Sequence, residues 1–157
     1  MPTLVDERVE LARCGQNPTV IARLASGWAV LGDYQFFRGY SLLLPEPVVP
    51  SLNDLSLTER SRFLLDMVAL GDALLAATDA LRINYEILAN TDPALHAHVF
   101  PRYASEEPSA LREPIWNYKR IQRMTVPFSR SDHGPLMDQL RLCLEAAGVV
   151  VAGQRRE

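Results

Sequence analysis

Two histidines, His96 and His98, stand one residue apart in the stretch PALHAHVFPRY that covers residues 93–103. If this run is extended, its side chains alternate between faces: His96, His98 and Phe100 point one way, and Leu95, Ala97 and Val99 the other. At a rise of ~3.3 Å per residue the two Cα atoms lie about 6.6 Å apart, close enough for both rings to address one small group such as a phosphate. A neutral imidazole can attack phosphorus to form a phosphoramidate when an acceptor holds its other nitrogen. A second imidazole can then donate to a phosphoryl or leaving-group oxygen. An H-x-H pair is also the pattern of two polar residues on a solvated strand, or of two metal ligands. A metal site needs a third and usually a fourth ligand. The remaining histidine, His133, is distant in sequence and falls at a helix start, where a capping or solvent role is expected, so no metal site is expected.

Presenting both rings requires a sheet and something to cover its other face. A first helical stretch is followed by NPTVIARLASG, in which Asn17 as cap, Pro18 at the first helical position and Gly27 past the end predict a short helix. GWAVLGDYQ and GYSLLLPEP read as neighbouring antiparallel strands, the second ended by Pro45, Pro47 and Pro50. The strongest helical period follows, with Phe63, Leu64, Met67, Val68, Gly71, Leu74 and Leu75 on one face and Ser56 with Glu59 as a capping box. This helix should lie across the sheet. RINYEIL and LHAHVF predict a second hairpin around the turn ANTDPA, where Asp92 and Pro93 oppose a continuous strand. From Asp132 a last helix carries Leu136, Met137, Leu140, Cys143 and Leu144 as its stripe, which places Cys143 in the core.

The 157 residues, 48% hydrophobic and 22% charged, suit one soluble globular domain spanning 1–157 (core about 17–103, C-terminal extension 104–157). A net charge of -3 gives no reason to expect nucleic acid or a membrane surface as partner. The N-terminus shows no signal pattern and no stretch approaches a membrane span, so a cytoplasmic location is expected. Cys14 and Cys143 stand in no metal or redox spacing and read as free thiols. Arg102, Arg112, Lys119, Arg120, Arg123 and Arg130 against Glu106, Glu107 and Glu113 make the 102–130 segment locally basic, which suits a small anion or a solvated loop.

The run INYEILANTDPALHAHVFPRY resembles the signature region of the histidine triad (HIT) family, in particular its bacterial diadenosine tetraphosphate hydrolase-like branch. GYSLLLPEPVVPSLNDLSLTER resembles the family's second strand and the entry to its long helix, so the likeness covers about Trp28 to Tyr103. The resemblance implies an α+β, HIT-like fold: an antiparallel sheet, one long helix across it and a C-terminal helix. The family's three alternating histidines fall on Ala94, His96 and His98, followed by Pro101 and Arg102, so the first is replaced. By resemblance His96 is the nucleophile, its remote ring nitrogen held by a main-chain carbonyl near Ala94, and His98 contacts the scissile phosphate. Asp33 and Gln35 would lie near the ribose and Asn84, Asn90 and Thr91 near the phosphates, with Arg102 also binding substrate. Tyr40 stands where several relatives have a histidine. The implied activity is hydrolysis of a phosphoanhydride or phosphoramidate in a nucleotide or dinucleoside polyphosphate, by a homodimer and without a cofactor. A nucleotidyl transferase or phosphorylase, or a nucleotide-binding module, are the alternatives. EPIWNYKRIQR carries no motif. Its Trp116, Lys119 and Arg120 suit either a cover for base and phosphates or packing, and packing is expected for Trp116.

Overall fold

Five strands, β1 (Val20–Leu24), β2 (Gly27–Leu31), β3 (Ser41–Pro45), β4 (Arg82–Glu86) and β5 (Ala97–Arg102), form one antiparallel sheet in the order β1-β2-β3-β5-β4. The structure is a computed structural model that describes residues 1–152; the end of the expected 104–157 extension, residues 153–157, lies outside the described residues. Helices α1 (Leu4–Arg13), α2 (Leu57–Ala77) and α5 (Arg130–Ala146) pack on the sheet, and the single-turn helices α3 (Pro108–Leu111) and α4 (Arg120–Arg123) lie in the segment before α5. The architecture is the expected α+β arrangement of antiparallel sheet, long crossing helix and C-terminal helix.

The sheet separates two apolar clusters. Ala29, Leu31, Leu43, Leu95, Ala97 and Val99 meet Phe63, Leu70 and Leu74 of α2 and Leu136, Leu140 and Leu144 of α5. On the other face Val5, Val9 and Ala12 of α1 cover Trp28, Val30, Leu44 and Ala94. Each fully buried leucine or phenylalanine contributes about 2 kcal/mol of transfer free energy, so α2, with Phe63, Leu70 and Leu74 at 0% exposure, is firmly seated.

Helix α2 begins as its capping box dictates. Ser56 Oγ accepts the Glu59 N–H at 3.3 Å, and the Glu59 carboxylate accepts the Ser56 N–H at 2.9 Å. Its buried face is narrower than the sequence period suggests, because Val68 and Leu75 are each 42% exposed. Asp66 is buried instead, and its carboxylate accepts the N–H and hydroxyl of Ser26 in the β1–β2 turn at 2.9 and 2.6 Å.

The short helix expected over residues 17–27 is a strand and its hairpin turn. Asn17 makes a cap-like contact, its Oδ1 accepting the Thr19 N–H and hydroxyl at 3.0 and 2.7 Å, but this closes a turn and not a helix. The β-branched Val20 and Ile21 that follow then pair with β2, and sheet pairing overrides the cap signal. Gly27 is no helix stop. It opens β2 opposite Pro45, where a Cβ would stand 1.8 Å from the Leu44 carbonyl oxygen.

Candidate active site

Strand β5 is central, with Leu42 and Glu86 both registered to His98 from β3 and β4. The predicted alternation holds from Ala94 to Phe100. Leu95, Ala97 and Val99 enter the α2 cluster, and His96, His98 and Phe100 line a cavity of about 630 Å³ on the opposite face. The assigned strand starts one residue after His96, but the extended backbone carries the period through it.

The two imidazoles are 4.7 Å apart between centroids, at 74°. His96 Nδ1 lies 2.8 Å from the Ala94 carbonyl oxygen. A carbonyl only accepts, so Nδ1 carries the hydrogen and Nε2 of the neutral ring keeps its lone pair. Ala94 itself is 2% exposed beneath α1, so the first motif position supplies main chain to the site and a methyl group to the core.

His98 is held differently. Its Nδ1 lies 2.7 Å from the Tyr40 hydroxyl. Burial, then the charges of His96 and Arg123, push the His98 imidazole down to about 4, so it is neutral near pH 7. Burial, with the charge of Asp33, raises the Tyr40 hydroxyl well above its ordinary value, so it keeps its proton. The Tyr40 O–H therefore donates to His98 Nδ1, which leaves an Nε2–H donor on the second ring. Tyr40 is fixed by stacking on Phe100 at 4.1 Å and 2°, and by Gly32, where a Cβ would stand 2.3 Å from the tyrosine ring.

Of the other predicted residues, Asp33, Asn90 and Thr91 line the cavity. Asp33 accepts a 2.6 Å ion pair from Arg8 of α1. The neighbouring Asp92 accepts the Val5 N–H at 3.0 Å, which ties the 89–92 turn to the same helix. Gln35, Asn84 and Arg102 are not brought to the cavity. Gln35 is buried, donating to the Gly32 and Tyr40 carbonyls and accepting the Gly39 N–H, and so it closes the 32–40 loop. Arg102 is 2% exposed and spends its guanidinium on Glu106, Asn84 Oδ1 and the Ala110 and Glu113 carbonyls. Asn84 is its partner, at 2.7 Å. These side chains build the walls, because a buried guanidinium needs several acceptors and finds them in the chain that follows it. Burial pushes the Glu106 carboxyl up, but Arg102, the Tyr103 amide and the Tyr118 hydroxyl outweigh it and hold Glu106 below the usual carboxylate range.

Trp116 both packs and lines the cavity. Its ring lies 5.4 Å from that of His98 between centroids and nearly perpendicular to it, and its indole N–H donates to Glu86. Arg120 and Arg123 of α4 also line the cavity, and Lys119 does not. Arg123 belongs to the 102–130 segment whose basic charge suits a small anion, whereas no motif marks Arg8 and Phe36, and tertiary packing alone brings them here.

His133 does cap-region work. Its Nδ1 lies 3.0 Å from the Ser129 amide at the start of α5, and its ring stacks on Phe128. Among the described residues no group of three or more His, Cys, Asp or Glu side chains could hold a metal ion, and no helix is long and apolar enough to cross a membrane. Cys14 and Cys143 are free, the second half-buried against the α2 cluster.

No protein-family model and no curated protein matches the sequence. Solved structures do match in shape. A histidine triad protein from Sinorhizobium meliloti is 19% identical, with a TM-score of 0.69 over 85% of this chain and 94% of that one. One from Marinobacter aquaeolei is 19% identical, with a TM-score of 0.68 over 81% and 88%. A hypothetical histidine triad nucleotide-binding protein from Sulfolobus tokodaii is 12% identical, with a TM-score of 0.69 over 89% and 92%. The chain has the fold that these histidine triad structures share.

Proposed function

We propose that this chain is a nucleotide hydrolase that cleaves a phosphoanhydride or phosphoramidate at the α-phosphate of a nucleotide or dinucleoside polyphosphate, through a nucleotidyl-His96 intermediate. The observation that carries this reading is the 2.8 Å contact from His96 Nδ1 to the Ala94 carbonyl, which in the neutral ring puts the hydrogen on Nδ1 and leaves the Nε2 lone pair facing away from that carbonyl. In the first step the Nε2 lone pair bonds to phosphorus as the bond to the leaving oxygen or nitrogen breaks, and the leaving group takes that electron pair. The ring becomes an imidazolium whose Nδ1–H still donates to Ala94, so its charge forms against a fixed dipole. The His98 Nε2–H donates to a phosphoryl or leaving-group oxygen. Water then breaks the P–N bond, releasing nucleoside monophosphate and neutral His96. No metal is needed in this scheme. Asp33, Asn90 and Thr91 would meet the substrate from the cavity rim.

The likeness to the diadenosine tetraphosphate hydrolase branch and the nucleotide-binding description of the Sulfolobus structure both favour a nucleotide substrate. By the same likeness the protein would act as a cytoplasmic homodimer, for which the exposed Leu65, Val68 and Leu75 on α2 offer an apolar surface.

The test is release of nucleoside monophosphate from labelled diadenosine tetraphosphate by wild type and His96→Asn, in water and with added phosphate. Wild type should release it, and the variant should be at least about 10³-fold slower. Equal rates, or release by neither, would overturn the hydrolase. Nucleoside diphosphate formed only with added phosphate would make it a phosphorylase. Binding without release would leave a nucleotide-binding module, the reading that Ala94 in place of a histidine favours.

A further inference from the structure

Along β5 the site has a direction. Ala94 packs with Val5, Val9 and Ala12 of α1, while Phe100 packs with Phe37, Ile115 and Trp116. Residues 94, 96, 98 and 100 share one face, so His96 lies toward α1 and His98 toward the 115–123 segment. Beyond His98 stand two arginines. The Arg123 guanidinium sits 4.8 Å from the Trp116 ring centroid, and its Nε donates to the Tyr118 carbonyl at 3.1 Å, which leaves its terminal nitrogens unused by that bond. Arg120, one helical turn earlier on α4, lines the same cavity. Among the described residues neither pairs with a carboxylate, whereas the third cavity arginine, Arg8, is neutralised by Asp33. Glu86, the nearest acid on β4, accepts the Trp116 indole N–H.

In-line displacement sends the leaving group to the side of phosphorus opposite the nucleophile. With His96 attacking, the path continues over His98 toward α4. We infer that Arg120 and Arg123 hold the phosphates beyond the scissile one, so that the site prefers substrates with a polyphosphate tail over nucleoside monophosphates and phosphoramidates. This choice of substrate class rests on the His96 reading for which phosphate is attacked, and on the arginine placement for the rest. Two guanidiniums lining one cavity suit a di- or triphosphate, because each can grip two oxygens in its planar fork. The cation–π contact and the Tyr118 carbonyl hold Arg123 in place before substrate arrives, which lowers the ordering cost of binding.

The experiment is calorimetric binding of ATP and AMP to His96→Asn protein, which lacks the proposed nucleophile, with Arg120→Gln and Arg123→Gln added singly and together. The parent should bind ATP at least about tenfold more tightly than AMP, and the double change should erase that ratio with AMP affinity held within about twofold. An unchanged ratio, no preference for ATP, or an equal loss of AMP binding would overturn the inference. Rates separate it from the hydrolase reading. With His96 intact, the paired arginine changes should slow cleavage of diadenosine tetraphosphate at least about tenfold more than cleavage of a nucleoside phosphoramidate, and equal slowing of the two would count against the inference. If wild type cleaves neither compound, the hydrolase reading fails and the ATP-to-AMP ratio still decides this one.

Discussion

The floor and the outer wall of the cavity are held by different means. The floor is β5, hydrogen-bonded to β3 and β4 on both sides and backed by the buried side chains of α2. His96 is oriented there by the main chain of its own strand. The wall, residues 104–128, contains only single turns of helix and hangs on side chains: Arg102 gathers Glu106, Ala110 and Glu113, and Tyr118 donates to Glu106 at 2.8 Å. Its far end is pinned by the Gln35 N–H to the Val126 carbonyl at 2.7 Å and the Phe128 N–H to the Asp33 carbonyl at 2.8 Å. On the proposed reading, bond-making chemistry would sit on the sheet and substrate selection on a wall held by side chains, the kind of segment that opens at lower free energy than a core strand.

Breaking that contrast at its anchor should have the largest effect on stability. Arg102→Met leaves the Glu106 carboxylate without its cation and frees two carbonyls, which should cost about 4 kcal/mol in urea unfolding. Hydrogen exchange should rise first in 104–118, with the β5 amides staying protected. Uniform loss of protection would contradict a separable wall.

The floor carries a pH signature of its own. Above pH 6.5 His98 is neutral whether the chain is folded or unfolded. Below that, the unfolded chain takes up a proton that folded His98, depressed to about 4, refuses. Stability should therefore fall as pH drops from 6.5 to 4, by up to about 3 kcal/mol, and His98→Asn should flatten that slope. Stability profiles that superimpose would mean that His98 is not held neutral by its surroundings.

A smaller effect sharpens the comparison between the two rings. Tyr40→Phe removes the O–H that fixes His98 and leaves the Ala94–His96 contact untouched. Turnover should drop about tenfold, or about 1.4 kcal/mol, with nucleotide affinity little changed. Gly32→Ala, which pushes a methyl group into the Tyr40 ring, should act in the same direction.

The same contrast explains what the sequence could say. Period-two alternation is local, so the shared face of His96 and His98 and the apolar backs of Leu95, Ala97 and Val99 were legible, as was the Ser56–Glu59 box that starts α2. The 17–27 stretch misled because Asn-Pro-Thr signals a turn as readily as a helix, and only pairing with β2 distinguishes them. Arg102 reads as a phosphate ligand beside a histidine motif. That it faces inward depends on Glu106 and on the carbonyls of a segment with no periodicity of its own. Arg123 and Arg8 reach the cavity through tertiary packing that no spacing rule encodes.

The proposed reaction turns on His96 Nε2 forming a bond to phosphorus. Intact-protein mass spectrometry of wild type quenched in base within one turnover of diadenosine tetraphosphate tests it most directly. A species heavier by one adenylyl group, mapped to His96, lost on mild acid treatment and absent from His96→Asn, is expected. Turnover with no such adduct, or an adduct that persists in His96→Asn, would contradict it.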